Sequence, residues 1–259
     1  MTQIVSVHSW RGGTGKSNLT ANLAAILAAS GRRVAVVDTD IQSPGIHILF
    51  GLQGATIAHS LNDYLWGRSG IEAAALDLST SIGIADPGRL FLVPSSINSG
   101  EIARVLREGC DARTLTGGLR KLARALNLDA LLIDTHPGLN EETLLSIALS
   151  HTLVIVLRPD QQDYEGTGVT LEVASALNVP QMLLVVNKVP AIFDVADVRE
   201  RVAHAYGRPV AAVIPHADEI MALASEGIFA LRYPDHPIAE TLRGIATAIG
   251  VDAQEVARG

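Results

Sequence analysis

Between an apolar run ending at Val7 and a helix-like segment starting at Ser17, the chain reads Trp10-Arg11-Gly12-Gly13-Thr14-Gly15-Lys16-Ser17. Glycines at this density let the backbone curl until successive N–H groups point inward, which makes a site for an anion. A helix that follows adds the positive end of its dipole. Lys16 supplies a cation for terminal phosphate oxygens, and the Ser17 hydroxyl is a hard oxygen ligand suited to Mg²⁺. Gly12, Gly13, Thr14, Gly15, Lys16, Ser17 and Asn18 are therefore the candidate phosphate-binding residues. The strict pattern G-x-x-x-x-G-K-[ST] is not met, because Trp10 stands where its first glycine would fall.

Carboxylates follow two other apolar runs. Asp38 and Asp40 lie two apart after Val36-Val37, and Asp134 follows Leu131-Leu132-Ile133. A metal that keeps most of its waters needs few protein ligands, and phosphoryl transfer asks mainly for positioning and charge neutralisation. Asp38 reads equally well as a carboxylate that caps the turn at its strand end. His136, two residues after Asp134, reads first as a solvated loop histidine and second as a sensor of the terminal phosphate. The eight histidines form no HExxH pattern, so no zinc site is expected, and no G-x-S-x-G elbow supports a hydrolase triad.

These groups need strands to carry them. Short runs rich in β-branched and aliphatic residues recur at Gln3–Val7, Arg33–Asp38, Ser81–Ala85, Leu90–Pro94, Asp129–Ile133, Thr152–Leu157, Gln181–Val186 and Val210–Ile214. Several are apolar at consecutive positions, as strands covered on both faces must be. Helical spacing of apolar residues marks Ser17–Ala29, Ala112–Leu126 and Ile238–Ile249. Alternation of the two patterns predicts an α/β, doubly wound, mostly parallel sheet of about eight strands with helices on both faces. In such folds ligands bind beyond the carboxyl ends of the strands, where the glycine loop and the carboxylates fall. No linker or repeat divides the chain, so residues 1–259 read as one domain, with 51–81 as a surface excursion.

Composition narrows the function. The chain has 259 residues, 18% of them charged, and a mean hydropathy of +0.28, a profile of a packed protein rather than a disordered one. No apolar run approaches the ~18 residues of a membrane span, and a first strand at Gln3 leaves no room for a leader, so a cytoplasmic protein is expected. A net charge of −7 gives no strong nucleic-acid signal. The cations Arg104, Arg107, Arg113, Arg120, Lys121 and Arg124 cluster in one segment, which reads first as a solvated helix face balanced by Glu101, Glu108 and Asp111 and second as a surface for a partner or nucleic acid. The segment Ile238–Ile249 carries only Glu240 and Arg243, and Val251–Gly259 includes Asp252 and Glu255, which disfavours a basic membrane anchor.

The run Arg11-Gly12-Gly13-Thr14-Gly15-Lys16-Ser17 resembles the deviant Walker-A loop of the MinD/ParA family of P-loop ATPases, whose usual form begins Lys-Gly-Gly. Val36-Val37-Asp38-Thr39-Asp40 is similar to that family's first switch. Leu131-Leu132-Ile133-Asp134-Thr135-His136-Pro137-Gly138 is similar to its Walker-B strand and second switch. Val185-Val186-Asn187-Lys188 and Val213-Ile214-Pro215 resemble its base-binding segments, so the likeness spans roughly residues 3–245. It implies a P-loop NTPase fold, with ATP and Mg²⁺ as cofactors and an ATP-dependent homodimer that engages a regulatory or cargo protein. It also implies that Asp40 positions the attacking water and that Asp134 acts through the metal's hydration shell. Asn187, Lys188 and Pro215 would flank the base. Valine and proline after Asn187-Lys188 replace the Lys-x-Asp continuation of guanine readers and favour ATP. The family's signature lysine is Arg11 here, expected to reach the partner subunit's nucleotide. A single cysteine, Cys110, counts against the iron–sulfur branch of the family. Two alternatives stand beside a hydrolysing switch: an ATP-sensing scaffold without turnover, and an ATP-dependent ligase of the same superfamily.

Overall fold

A computed structural model describes residues 1–53, 56–109, 111–223 and 225–251. The strands are β1 (Gln3–His8), β2 (Arg33–Asp38), β3 (Leu76–Asp77), β4 (Arg89–Val93), β5 (Ala130–Asp134), β6 (Thr152–Leu157), β7 (Gln181–Val189) and β8 (Val210–Pro215). Between them lie α1 (Lys16–Ala29), α2 (Ile46–Leu49), α3 (Leu61–Leu65), α4 (Ser99–Glu108), α5 (Ala112–Ala125) and α6 (Glu141–Leu149). The second half adds α7 (Gln161–Ala176), α8 (Val195–Tyr206), α9 (Asp218–Ala222), α10 (Phe229–Arg232) and α11 (Pro237–Ile249). The strands form one eight-stranded sheet in the order β3-β4-β2-β5-β1-β6-β7-β8, parallel except for the short edge strand β3.

The period-two alternation of each strand divides the core in two. Val5 and Val7 of β1, Val34 and Val36 of β2 and Leu132 of β5 face one layer, where they pack with α1, α2, α10 and α11. Ile4, Ala35, Val37, Leu131 and Ile133 face the other side, against α3, α5 and Val105 of α4. Further along that second face, β6, β7 and β8 pack on α6, α7 and α8. With helices on both faces, the central positions of the strands are buried, which explains their consecutive apolar residues. This is the expected α/β, doubly wound architecture.

Two expectations need correction. Ser81–Ala85 is a turn, not a strand: Gly83 has φ +76°, and the N–H groups of Ile82 and Ile84 bond back to Leu78 and Ser79 at 3.1 and 2.8 Å. Ile84 is buried all the same, so the alternation of Ile82 and Ile84 reported burial rather than extension. The segment 51–81 is more than an excursion. It holds α3, started by a capping box between Ser60 and Asp63, and the edge strand β3. Leu61 and Ile71 within it are fully buried. The tail residues Asp252 and Glu255 lie outside the described residues, as does Cys110.

Candidate functional site

The loop between β1 and α1 turns at Gly13 (φ +78°) and Gly15 (φ +96°), backbone values that side chains resist. Gly15 is also the N-cap of α1 and offers no side-chain cap, so the first N–H groups of that helix remain available to an anion. A Cβ added at Gly13 would meet nothing within 4 Å, whereas one at Gly15 would collide with the Asn187 amide. The loop is open outward and tight against β7.

Lys16 folds inward. Its Nζ lies 2.7 Å from Asp134 Oδ1 and 3.4 Å from Ser17 Oγ, and Thr20 Oγ1 donates to the same Asp134 oxygen at 3.2 Å. Asp134 ends β5, and the sheet register sets it beside Asp38 of β2. One Asp38 oxygen accepts the Asp40 N–H at 3.0 Å, so the turn-capping reading holds for that atom. The other oxygen is buried with no hydrogen-bond partner among the described residues, as is Thr14 Oγ1. Burial and then the Asp134 charge push Asp38 well above the ordinary carboxylate range, which favours its protonated form. Behind the loop, His8 is wholly buried, with Nδ1 2.9 Å from Thr135 Oγ1. Burial, followed by repulsion from Lys16, lowers its pKa to about 3, so this imidazole is neutral.

Asp40 accepts from the Ser43 N–H at 3.1 Å, and its Oδ1 lies 2.6 Å from His136 Nδ1. His136 is thus no solvated loop residue: parallel pairing of β2 with β5 brings the loops after both strands together and pairs it with Asp40.

Arg11 turns away from the glycines onto the start of α7. Nε donates to Asp163 Oδ1 at 2.6 Å, and one terminal nitrogen bridges both Asp160 oxygens at 2.8 Å. Its other terminal nitrogen meets Gln162. These partners raise the Arg11 pKa, the Asp163 hydrogen bond most of all. Arg158 shares Asp163 through its backbone N–H at 2.8 Å and its Nε at 3.3 Å. Asp160 caps α7 by accepting from Asp163 N–H, and the Asp-x-x-Asp spacing of Asp160 and Asp163 is the signal that could have pointed to this cluster. Trp10 lies against Gly166 one turn further on, where a Cβ would enter the indole.

Asn187 and Lys188 border a cavity of about 350 Å³ beside the loop, walled by Leu19, Pro215, Phe229 and Leu242. In this arrangement the Asn187 carboxamide serves the loop: Nδ2 donates to Thr14 O at 2.7 Å and Oδ1 accepts the Lys188 N–H at 2.9 Å. Lys188 Nζ donates to Gly13 O at 2.8 Å. The apolar wall from α10 and α11 was invisible in the sequence, because it joins residues more than two hundred positions from the loop.

A glycine loop with left-handed turns, a lysine at its end and a cavity with an apolar wall alongside suit a nucleotide. Residues 5–230 match the family model described as the CobQ/CobB/MinD/ParA nucleotide binding domain. The chain belongs to this family. Among its CobQ/CobB/MinD/ParA relatives is an uncharacterized ATP-binding protein of Methanocaldococcus jannaschii, 26% identical over 252 residues, covering 96% of this chain and 88% of that protein. An iron-sulfur cluster carrier protein of Pseudomonas fragi is 27% identical over 263 residues, covering 95% and 85%. The fold matches that of the septum site-determining protein MinD complexed with Mg-ADP from Pyrococcus horikoshii, with a TM-score of 0.79, 23% identity and 96% of each chain covered. Among the described residues no helix is long and apolar enough to cross a membrane.

Proposed function

We propose that this chain, working as one unit in the cytoplasm, is a Mg²⁺-dependent ATPase of MinD/ParA type whose ATP-bound form dimerises and holds a partner protein that hydrolysis releases. One observation carries the reading: the glycine loop opens outward beside Lys16, Ser17 and Asp134, with two buried polar groups, Asp38 Oδ2 and Thr14 Oγ1, left without partners among the described residues. Buried groups of that kind are rare unless a ligand or ordered water completes them.

The residues fit the expected groups. Phosphate oxygens would be held by loop N–H groups and by Lys16, with the purine in the cavity walled by Leu19, Pro215 and Phe229. Ser17 would ligate Mg²⁺ directly, with Asp40 and Asp134 reaching it through water. The metal, when bound, supplies neutralisation of phosphate charge. Asp40 is the group to orient the attacking water and accept its proton, and His136 restrains that carboxylate.

Asp40→Ala is the test. Phosphate release should fall by roughly 10²–10⁴-fold while ATP binding and ATP-dependent dimerisation persist. Near-normal turnover in that variant would move the water-activating role elsewhere. A second reading, a non-hydrolysing ATP sensor, draws on the cis clamp that holds Arg11 on Asp160 and Asp163. Tight ATP binding by the wild type without phosphate release, with or without partner, would select it.

A further inference from the structure

Helix α5 carries four of the cations singled out in the sequence, Arg113, Arg120, Lys121 and Arg124, with Arg104 and Arg107 on α4, and no Asp or Glu interrupts residues 112–128. The structure sorts them. Arg104 is paired with Glu108, and Lys121 reaches Glu72 at 3.0 Å. Arg120 and Arg124 have no ion-pair partner among the described residues, and they stand one turn apart, which brings them side by side. Both line a cavity of about 620 Å³ whose apolar wall is Ile4, Ala123, Leu128 and Leu149. His151 borders the same cavity; its Nδ1 accepts the Ile4 N–H at 3.0 Å, so its proton sits on Nε2, a further donor. Residues Ile4 and His151 flank the amino ends of β1 and β6, so this concavity opens at the sheet edge opposite the glycine loop.

We propose that this cavity docks an acidic peptide segment of a partner protein, with an apolar side chain in the cavity and flanking carboxylates on Arg120 and Arg124. The volume lies within the ~300–1,000 Å³ of small binding pockets. The paired guanidiniums match carboxylates in fork geometry, and their charge is complementary to an acidic segment although the chain as a whole carries a net −7. That overall charge and the neutralised Lys121 disfavour a polyanion, which needs an extended basic track. A partner held here would leave the nucleotide face clear.

The test uses the full chain and a fluorescein-labelled peptide, Glu-Glu-Leu-Phe-Glu-Asp, read by anisotropy. Saturable binding is expected, weakened about tenfold or more by Arg120→Glu with Arg124→Glu. Lys121→Glu, on the same helix but outside the cavity, should change it by less than about twofold. The milder pair Arg120→Gln with Arg124→Gln, checked by circular dichroism, covers any loss of folding in the charge-reversed protein and should also weaken binding. The proposal is overturned by no binding, by equal loss in Lys121→Glu, by equal affinity for a peptide with Gly-Gly in place of Leu-Phe, or by tighter binding of a single-stranded oligonucleotide.

Discussion

At the scale of single residues, Lys16 and Arg11 divide the loop's positive charge between two tasks. Lys16 is buried on Asp134 and faces the space above α1, whereas Arg11 is turned to α7. A charge-assisted hydrogen bond to phosphate is worth roughly 1.5–3 kcal/mol, about 10- to 150-fold in affinity. Lys16→Ala should weaken ATP binding by that factor in titration calorimetry, and unchanged affinity would remove the phosphate assignment. Because the variant also strips Asp134 of its cation, a melting curve must accompany the measurement. For Arg11 the expectation is different. Arg11→Ala should keep ATP binding by the monomer and lose ATP-dependent dimerisation, while Arg11→Lys keeps both. The clamp on Asp160 and Asp163 then marks where Arg11 rests before a second subunit arrives, with Arg158 left to partner the buried Asp163. Light scattering with ATP and Mg²⁺ decides the point: an alanine variant that dimerises like the wild type leaves Arg11 with only its intrachain role.

Between elements, the decisive contact is loop against helix. Trp10 opens the glycine loop and packs on Gly166 in α7, so that helix fixes where the loop starts, just as Asn187 of β7 fixes where it ends. Gly166→Ala forces a methyl into the indole, and overpacking of this kind costs about 1–3 kcal/mol. Urea denaturation should show that loss, together with weaker nucleotide binding, because a displaced Trp10 drags Arg11 and Gly12 with it. Stability within about 0.5 kcal/mol of the wild type would mean the ring moves aside freely.

For the whole molecule, the buried groups behind the loop tie folding to pH. His8 has a folded pKa of about 3 against an ordinary 6.5. The unfolded chain therefore takes up a proton that the folded chain refuses. Stability is fully present above pH 6.5 and drains away as the pH falls toward 3, by up to about 1.4 kcal/mol per unit. His8→Gln should flatten that part of the curve in denaturation at stepped pH, and an unchanged slope would assign the acid sensitivity to other groups. Asp38 acts with the opposite sign. Its raised pKa favours the folded state below the ordinary 3.8, and that advantage is lost as the pH rises.

Much of this was legible without coordinates, because the information is local. A glycine loop between a strand and a helix, carboxylates at strand ends and runs apolar on both faces are properties of neighbouring residues. They sufficed for the doubly wound α/β sheet and for the place of Lys16, Asp40 and Asp134 at its carboxyl edge. Local pattern failed where burial and extension separate: Ile82 and Ile84 alternate like a strand, yet a left-handed Gly83 folds them into a turn. Only the tertiary structure decided how distant charges pair. Arg11 meets Asp160 and Asp163, and Asp40 meets His136, because strand order brings loops far apart in the chain to one edge. The same holds for the cavity wall of Phe229 and Leu242 and for the cavity that Arg120 and Arg124 of α5 share with Ile4 and Leu149. Spacing along a chain specifies which face a side chain occupies, but the strength of a charge pair depends on distance and burial, which exist only once the sheet has closed.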